Sequence, residues 1–323
     1  MSTISINNYI FDKPLTSDNS GFSKWGIGQR DGIKYFVKEF LSPVFPVDTS
    51  MFSEQKRAER INLCLSFIKE KEELYLAINE ITDGNLIGIE QFFRVNTKYY
   101  ISTKAITHPV LSIQEISKQP FYERLKLCCI IAHAISGLHS KKIVHADIKP
   151  DNILVYRNDK IHAKIIDFDC SFFEKNAPKR GEELNGDMVY LSPEAFLHII
   201  GEYSYLSCKM DVFSLGLLFH QYLTGRLPSF DTNEYQYAYE VVLDNQSFGI
   251  DHKLHSVLST IIVKMLDKEP KKRPDMETVF FTLRQLLFQI LNRNTANHNN
   301  SKQEQENKRN ISHDPFFLRG GNL

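Results

Sequence analysis

The sequence predicts an α+β chain in two unequal parts, a small strand-rich N-terminal part carrying one long helix and a larger, mostly helical remainder. Three observations carry this. Short apolar runs broken by turn residues fill residues 9–38 and 86–106. A charged stretch from about residue 53 to 79 places Phe67, Leu74, Ala77 and Ile81 on one face at helical spacing. Past residue 107 the apolar positions follow the helical period, most clearly over 121–139.

Each element follows in order. Asn19-Ser20-Gly21 marks a first turn and Arg30-Asp31-Gly32 a tighter one. An Asp-Gly pair between apolar segments is a hairpin signal, so residues 33–37 form the return strand. Pro43 and Pro46 end it, and the long helix follows. Asp83-Gly84-Asn85 turns the chain into two β-like runs, 86–95 and 99–106, around Asn96-Thr97. Leu125, Cys128, Ala132, Ile135 and Leu138 then form the stripe of a buried helix. Residues 145–194 are loop-rich, and further helices are predicted over about 209–224, 235–245, 253–267 and 275–292. Between 292 and 314 the only apolar residues are Ala296 and Ile311, too few to offset the entropy of ordering. The reading is therefore one domain over 1–292, with lobes at about 9–106 and 107–292, and a disordered tail over 293–323.

Composition excludes several classes. The 323 residues carry 39 Lys+Arg against 39 Asp+Glu, so bulk charge gives no reason to expect nucleic-acid binding. The five cysteines (64, 128, 129, 170 and 208) form no CxxC pair, which suggests reduced thiols in a cytoplasmic protein. No apolar run approaches membrane-spanning length, so no membrane is expected. The start, MSTISINNYIF, lacks the basic-then-apolar order of a secretory signal.

The chemistry concentrates in two loops. The first is His145-Ala146-Asp147-Ile148-Lys149-Pro150-Asp151-Asn152; fifteen residues after Asn152 comes Asp167-Phe168-Asp169. A carboxylate, a lysine, an amide and a second carboxylate thus flank a short strand pair. Phosphoryl transfer uses such groups: one acid to orient a hydroxyl, and a carboxylate with an amide to hold Mg²⁺ against phosphates.

These motifs resemble the protein kinase superfamily over roughly residues 10–290. Lys38 ends the strand Tyr35-Phe36-Val37-Lys38, like the family's ATP-phosphate lysine. Ser192-Pro193-Glu194 is similar to the close of the activation segment, Asp211-Val212-Phe213 to the start of the central helix, and Arg273-Pro274 to the arginine that pairs with that glutamate. The resemblance implies a two-lobed fold, ATP and Mg²⁺ as cofactors, and a protein substrate bearing a Ser or Thr hydroxyl. It implies that Asp147 takes or orients the hydroxyl proton, that Lys149 meets the γ-phosphate, and that Asn152 and Asp167 bind the metal. Lys149, two residues after Asp147, is similar to the serine/threonine pattern. Gly21 would sit in the phosphate-covering loop, with Lys24 offering charge. Thr103 would back the adenine pocket, with Lys104-Ala105-Ile106 as the hinge and Leu154 as the floor. Glu70, Glu72 and Glu73 compete as the helix partner of Lys38, and Glu70 is preferred because it shares a face with Phe67 and Leu74.

Departures bear on activity. Ala146 replaces the arginine that usually receives an activation-loop phosphate, so activity is expected not to depend on such phosphorylation. Asp169 replaces the glycine after Asp167-Phe168, and Asp187 a hydroxyl residue after Gly186. Gly26 and Phe36 are expected to face the adenine together, the large ring filling what the glycine vacates. A non-catalytic, pseudokinase-like interaction module is the alternative. A small-molecule kinase of the aminoglycoside phosphotransferase type shares the His-x-Asp…Asn loop, but Ser192-Pro193-Glu194, Asp211 and Arg273 speak against it.

Overall fold

The computed structural model describes residues 4–18, 23–47, 52–81, 84–179, 184–202 and 205–311. Its N-lobe is one antiparallel sheet. Strands β1 (Ile4–Ile6), β2 (Tyr9–Phe11), β3 (Ser23–Arg30), β4 (Ile33–Phe40), β5 (Ile89–Val95) and β6 (Lys98–Lys104) lie in the order β1-β2-β3-β4-β6-β5. The β3–β4 hairpin turns on Asp31 and Gly32 alone, at φ 51° and 77°. Two successive positive φ values are what an Asp-Gly turn supplies, and they match the twist of the flanking strands.

Helix α1 (Glu54–Asn79) starts where Ser53 accepts the backbone N–H of Lys56 at 3.4 Å. It packs on the sheet through Phe67, whose ring lies 5.4 Å from those of Phe40 and Tyr99. Its inward stripe is Cys64, Phe67, Ile68, Lys71, Leu74, Tyr75 and Ile78. Glu70, Glu72 and Glu73 are exposed. The inward place that the sequence reading gave to Glu70 thus belongs to its neighbour. Position 71 lies four residues after Phe67 and three before Leu74, so both contacts centre the stripe on it.

The C-lobe is built on helices α2 (Ile113–Ser117), α3 (Phe121–Ser140), α4 (Pro193–Ile199), α5 (Lys209–Thr224), α6 (Ala238–Leu243), α7 (Ser256–Met265) and α8 (Met276–Ile311). Short strands β7 (Ile143–Val144), β8 (Ile153–Arg157), β9 (Ile161–Ile165) and β10 (Phe172–Phe173) make two ribbons, β7–β10 and β8–β9. The core centres on α3 and α5, where Leu125, Cys128, Ala132, Ile135 and Leu138 pack with Val212, Phe213, Leu215 and Phe219. Gly225, at φ 84°, stops α5. Helix α8 runs to Ile311, past the end expected near residue 292. Residues 293–311 hold neither Pro nor Gly, so nothing in their composition breaks the helix. Residues 312–323 of the expected tail lie outside the described residues. Among the described residues, no helix is long and apolar enough to cross a membrane.

Candidate active site

The loop from His145 to Asn152 is pinned from beneath by one carboxylate. Asp211, in the first turn of α5, accepts the backbone N–H of His145 at 2.8 Å and of Ala146 at 2.9 Å, and lies 2.9 Å from His139 Nε2. His145 is buried; its Nε2 lies 3.1 Å from the Ile166 carbonyl, which can only accept, so Nε2 carries the proton. Its ring meets Phe168 at 5.3 Å, tying the first loop to the second. Ala146 stands at φ 67°, a left-handed turn that lets both neighbouring N–H groups reach Asp211.

This scaffold presents Asp147 with its carboxylate fixed on three sides. Lys149 Nζ lies 2.9 Å away, Asn152 Nδ2 donates to it at 2.8 Å, and the Asp187 backbone N–H donates at 3.1 Å. Burial works against the charge of Lys149, but the Asp147 hydrogen bond and charge outweigh it and raise the lysine's pKa. Asn152 also donates to the Asp147 carbonyl at 2.7 Å, so its amide nitrogen is engaged and its carbonyl oxygen turns the other way. The β8–β9 ribbon closes the gap to the second loop: Ile153 pairs with Ile165, and Ile166 N–H donates to Asn152 O at 3.0 Å. Asn152 and Asp167 therefore lie at adjoining ends of the two loops. Among the described residues no cluster of three or more His, Cys, Asp or Glu could hold a metal by itself. An ion here would draw its other ligands from phosphate and water, which is the habit of Mg²⁺.

The roof of the cleft is held by charges. Lys38 Nζ lies 2.9 Å from both carboxylate oxygens of Asp167 and 2.7 Å from Asp169 Oδ2. Helix α1 enters through Lys71, whose Nζ donates to the Asp169 carbonyl at 2.7 Å. Glu70 instead accepts from Ser66 on the exposed face, so the expected Lys38–Glu70 pair is corrected. Burial opposes the charge of Lys38, yet Asp169 and Asp167 overcome it and raise its pKa. Burial likewise opposes the Asp167 charge, and Lys38 overcomes it, so its pKa is lowered. For Asp169, burial and the neighbouring Asp167 win over both lysines, and its pKa rises. Lys71 is depressed by burial, which Asp169 only partly offsets.

The residues expected to surround a nucleotide lie on or beside β3, β4, β6 and β8. Thr103 pairs with Phe36 across the β4–β6 ladder, two residues from Lys38 and on its face. Leu154 is half-buried on β8, two residues after Asn152. Ala105 N–H donates to the Lys34 carbonyl at 3.0 Å, so it continues the sheet and is not the hinge donor. Alternation along β6 turns the backbone groups of Lys104 away from β4. Gly21 lies outside the described residues; the loop containing it is closed at its base by Thr16 and Trp25, which exchange hydrogen bonds at 2.9 and 2.8 Å. Lys24 pairs with Glu39 and Gly26 with Val37, both on the face away from Lys38. A Cβ on Gly26 would come within 2.8 Å of Leu15 Cδ2, so this glycine serves the outer apolar cluster with Phe11. The partner of Phe36 over the cleft is Trp25, stacked at 5.6 Å. Trp25 faces Lys38 directly across the ladder, a pairing that register alone reveals.

The segment from Asp167 to Glu194 is anchored at its end. Arg273, fully buried, gives two hydrogen bonds to the Glu194 carboxylate, at 2.7 and 2.9 Å. Its hydroxyls are all engaged: Ser171 Oγ donates to the His145 carbonyl at 3.0 Å, Tyr190 OH donates to Gln221 at 2.6 Å, and Ser192 Oγ accepts Ala195 N–H at 3.4 Å.

Comparison with known proteins agrees with this geometry. A family model described as protein kinase domain matches residues 53–282. The ovarian-specific serine/threonine-protein kinase Lok of Drosophila melanogaster is 32% identical over 218 residues, 66% of this chain and 40% of Lok. Calcium-dependent protein kinase 4 of Plasmodium falciparum is 31% identical over 189 residues, 56% of this chain and 34% of that one. The aligned region thus spans well under half the length of these relatives. The solved structure of the Cydia pomonella granulovirus kinase PK-1 superposes with a TM-score of 0.57 at 17% identity, covering 85% of this chain and 92% of that one.

Proposed function

Because the chain belongs to the protein kinase family, we propose that it transfers the γ-phosphoryl group of ATP to a serine or threonine hydroxyl of a protein, using Mg²⁺. The observation that carries this is the Asp147 carboxylate, held at 2.9 Å by Lys149 and at 2.8 Å by Asn152 at the mouth of the cleft. Asp147 would accept the hydroxyl proton as the substrate oxygen bonds to the γ-phosphorus and the bond to the β-phosphate oxygen breaks, leaving ADP. Lys149 would offset charge on the transferred group, and Lys38 would hold the phosphates from the roof. Asn152 and Asp167 would hold Mg²⁺, which when bound neutralises charge along the phosphates. The serine/threonine relatives and Lys149 support that substrate class. The reading takes 1–292 as the catalytic domain, and five unpaired thiols support a cytoplasmic setting.

Activation-loop phosphorylation is not required in this reading. Ala146 supplies no phosphate receptor, and Ser171, Tyr190 and Ser192 are buried. Radiolabelled ATP with generic protein substrates tests the transfer, and phosphatase treatment beforehand tests the independence. Absence of transfer to any protein, or a phosphate-reversible loss, would count against the respective half.

A non-catalytic interaction module is the second reading, favoured by the Trp25–Phe36 stack, which lays two rings where adenine would lie. A thermal-shift titration with Mg-ATP separates the two. No shift in the wild type together with a shift in Phe36→Ala would make the stack a plug.

A further inference from the structure

We propose that Lys71 and Asp169 form a charge-exchanged positioning pair, in which Asp169 holds Lys38 in place of a helix carboxylate and Lys71 ties α1 to the loop that bears Asp169. The inference rests on the kinase reading for its purpose and on the structure for its parts. In the usual arrangement, the strand lysine pairs with a glutamate from the helix, and the position two after the metal-binding aspartate is a glycine. Here the carboxylate nearest Lys38 is Asp169, at 2.7 Å, in that glycine's place. The inward helix position carries the opposite charge, Lys71, at 2.7 Å from the Asp169 carbonyl. Either change alone would be damaging. A lysine at 71 without Asp169 would bury a second cation beside Lys38. An aspartate at 169 with a helix glutamate would place three carboxylates around a single lysine. Together they leave two cations against Asp167 and Asp169, and unpaired buried charge is what such a site cannot tolerate.

The link between helix and roof is preserved by a different route. Lys71 bonds a backbone carbonyl, so it fixes the loop's position and not only its charge. Its side chain lies along Tyr75, with Nζ 5.8 Å from that ring's centre, which leaves the loop as its polar outlet. Asp169 then meets Lys38 from below with its side chain while its main chain is held from the helix. A shift of α1 would therefore pull Asp169, and through it Lys38, as a helix glutamate does directly elsewhere. Lys71 and Asp169 touch neither nucleotide nor substrate in this scheme; they position the lysine that does.

The test is a double-mutant cycle read in two ways. Asp169→Gly, Lys71→Glu and Lys71→Met are compared with Lys71→Glu/Asp169→Gly, which rebuilds the usual arrangement. Without ligand, each single variant is expected to melt several degrees below wild type, and the double variant closer to wild type than either Asp169→Gly or Lys71→Glu. With Mg-ATP, at a temperature where every variant is folded, the singles are expected to lose roughly tenfold in kcat/KM for ATP, and the double to recover most of it. KM for the protein substrate should stay constant, which a merely structural role would not select. Lys71→Met keeps the cycle informative if Lys71→Glu fails to fold. Additive losses, with the double variant worse than both singles, would overturn the pair. So would a tenfold loss in Glu70→Gln with Lys71→Met unaffected. If no variant, wild type included, binds Mg-ATP, the kinase reading fails, while the ligand-free melting cycle still decides whether the pair is coupled.

Discussion

The floor and the roof of the cleft are held in different ways. Beneath, the loop is fixed by hydrogen bonds between side chains and backbone: Asp211 accepts the N–H groups of His145 and Ala146, and the Asn152 amide donates to the Asp147 carbonyl. Above, Lys38 is placed by ion pairs with Asp167 and Asp169. A backbone-bonded floor leaves little freedom in where its groups stand, so a sequence motif dictates them almost residue by residue. A roof built on charge only has to balance, and its members can change places. The largest test of this contrast is Asp147→Ala. It is expected to lower kcat by about 10²–10⁴-fold, as loss of a general acid–base group does, with the affinity for ATP nearly unchanged. Lys38→Met should instead act on ATP affinity. If Asp147→Ala weakens ATP binding as much as Lys38→Met does, the floor and the roof are not separable.

Next in size is the anchor of the activation segment. Arg273→Ala would leave Glu194 buried without its partner, and breaking such a pair costs about 3–5 kcal/mol. Urea melts should show that loss, and hydrogen exchange should place it in α4, α5 and the segment ending at Glu194. Equal loosening of the β3–β4 hairpin would mean that the lobes unfold as one and that the contrast is confined to the cleft.

What was legible in the sequence follows the same division. The hairpin at Asp31-Gly32, the helix from Ser53, the span of α5 and the adjacency of Asn152 and Asp167 were all readable, because local turn chemistry, caps and a short ribbon fix them. Glu70 was misplaced by one residue. Phe67, Leu74 and Ala77 constrain the helix face only loosely, while Cys64, Tyr75 and Ile78 would have centred it on Lys71. Gly26 was misplaced for a related reason: a one-residue error in register sends a strand side chain to the opposite face. The pairing of Trp25 with Lys38 corrects it. The Ala105 N–H is taken by the sheet, and which amide is so taken depends on the ladder's phase, which composition does not carry. Gly26→Val makes the second correction testable. With Leu15 Cδ2 at 2.8 Å from the added Cβ, it should cost about 1–3 kcal/mol of stability and leave the Kd for ATP unchanged. Weakened ATP binding that Phe36→Ala restores would return Gly26 to the roof.

The smallest effect carries the contrast away from the cleft and asks whether backbone-bonded side chains govern the C-lobe generally. His220, buried on α5, has Nδ1 2.8 Å from the Arg226 carbonyl, while its Nε2 accepts the Asp251 backbone N–H at 3.1 Å. A carbonyl only accepts and an amide N–H only donates, so the ring is neutral with its proton on Nδ1. Protonating Nε2 would set two donors against each other. Burial lowers the pKa of His220 below 6.5; the hydrogen bond to the Arg226 carbonyl and the Asp251 charge oppose this without overcoming it. The sign follows from linkage. As pH falls through 6.5, the unfolded chain takes up the proton first, so stability declines until the folded pKa is reached; well above 6.5 it is insensitive to this group. His220→Asn removes the titrating ring and should flatten part of the fall in melting temperature between about pH 7.5 and 5.5, near the ordinary histidine pKa. An identical slope in wild type and variant would mean that carboxylates elsewhere set the acid response, and that the geometry around His220 does not resist its protonation.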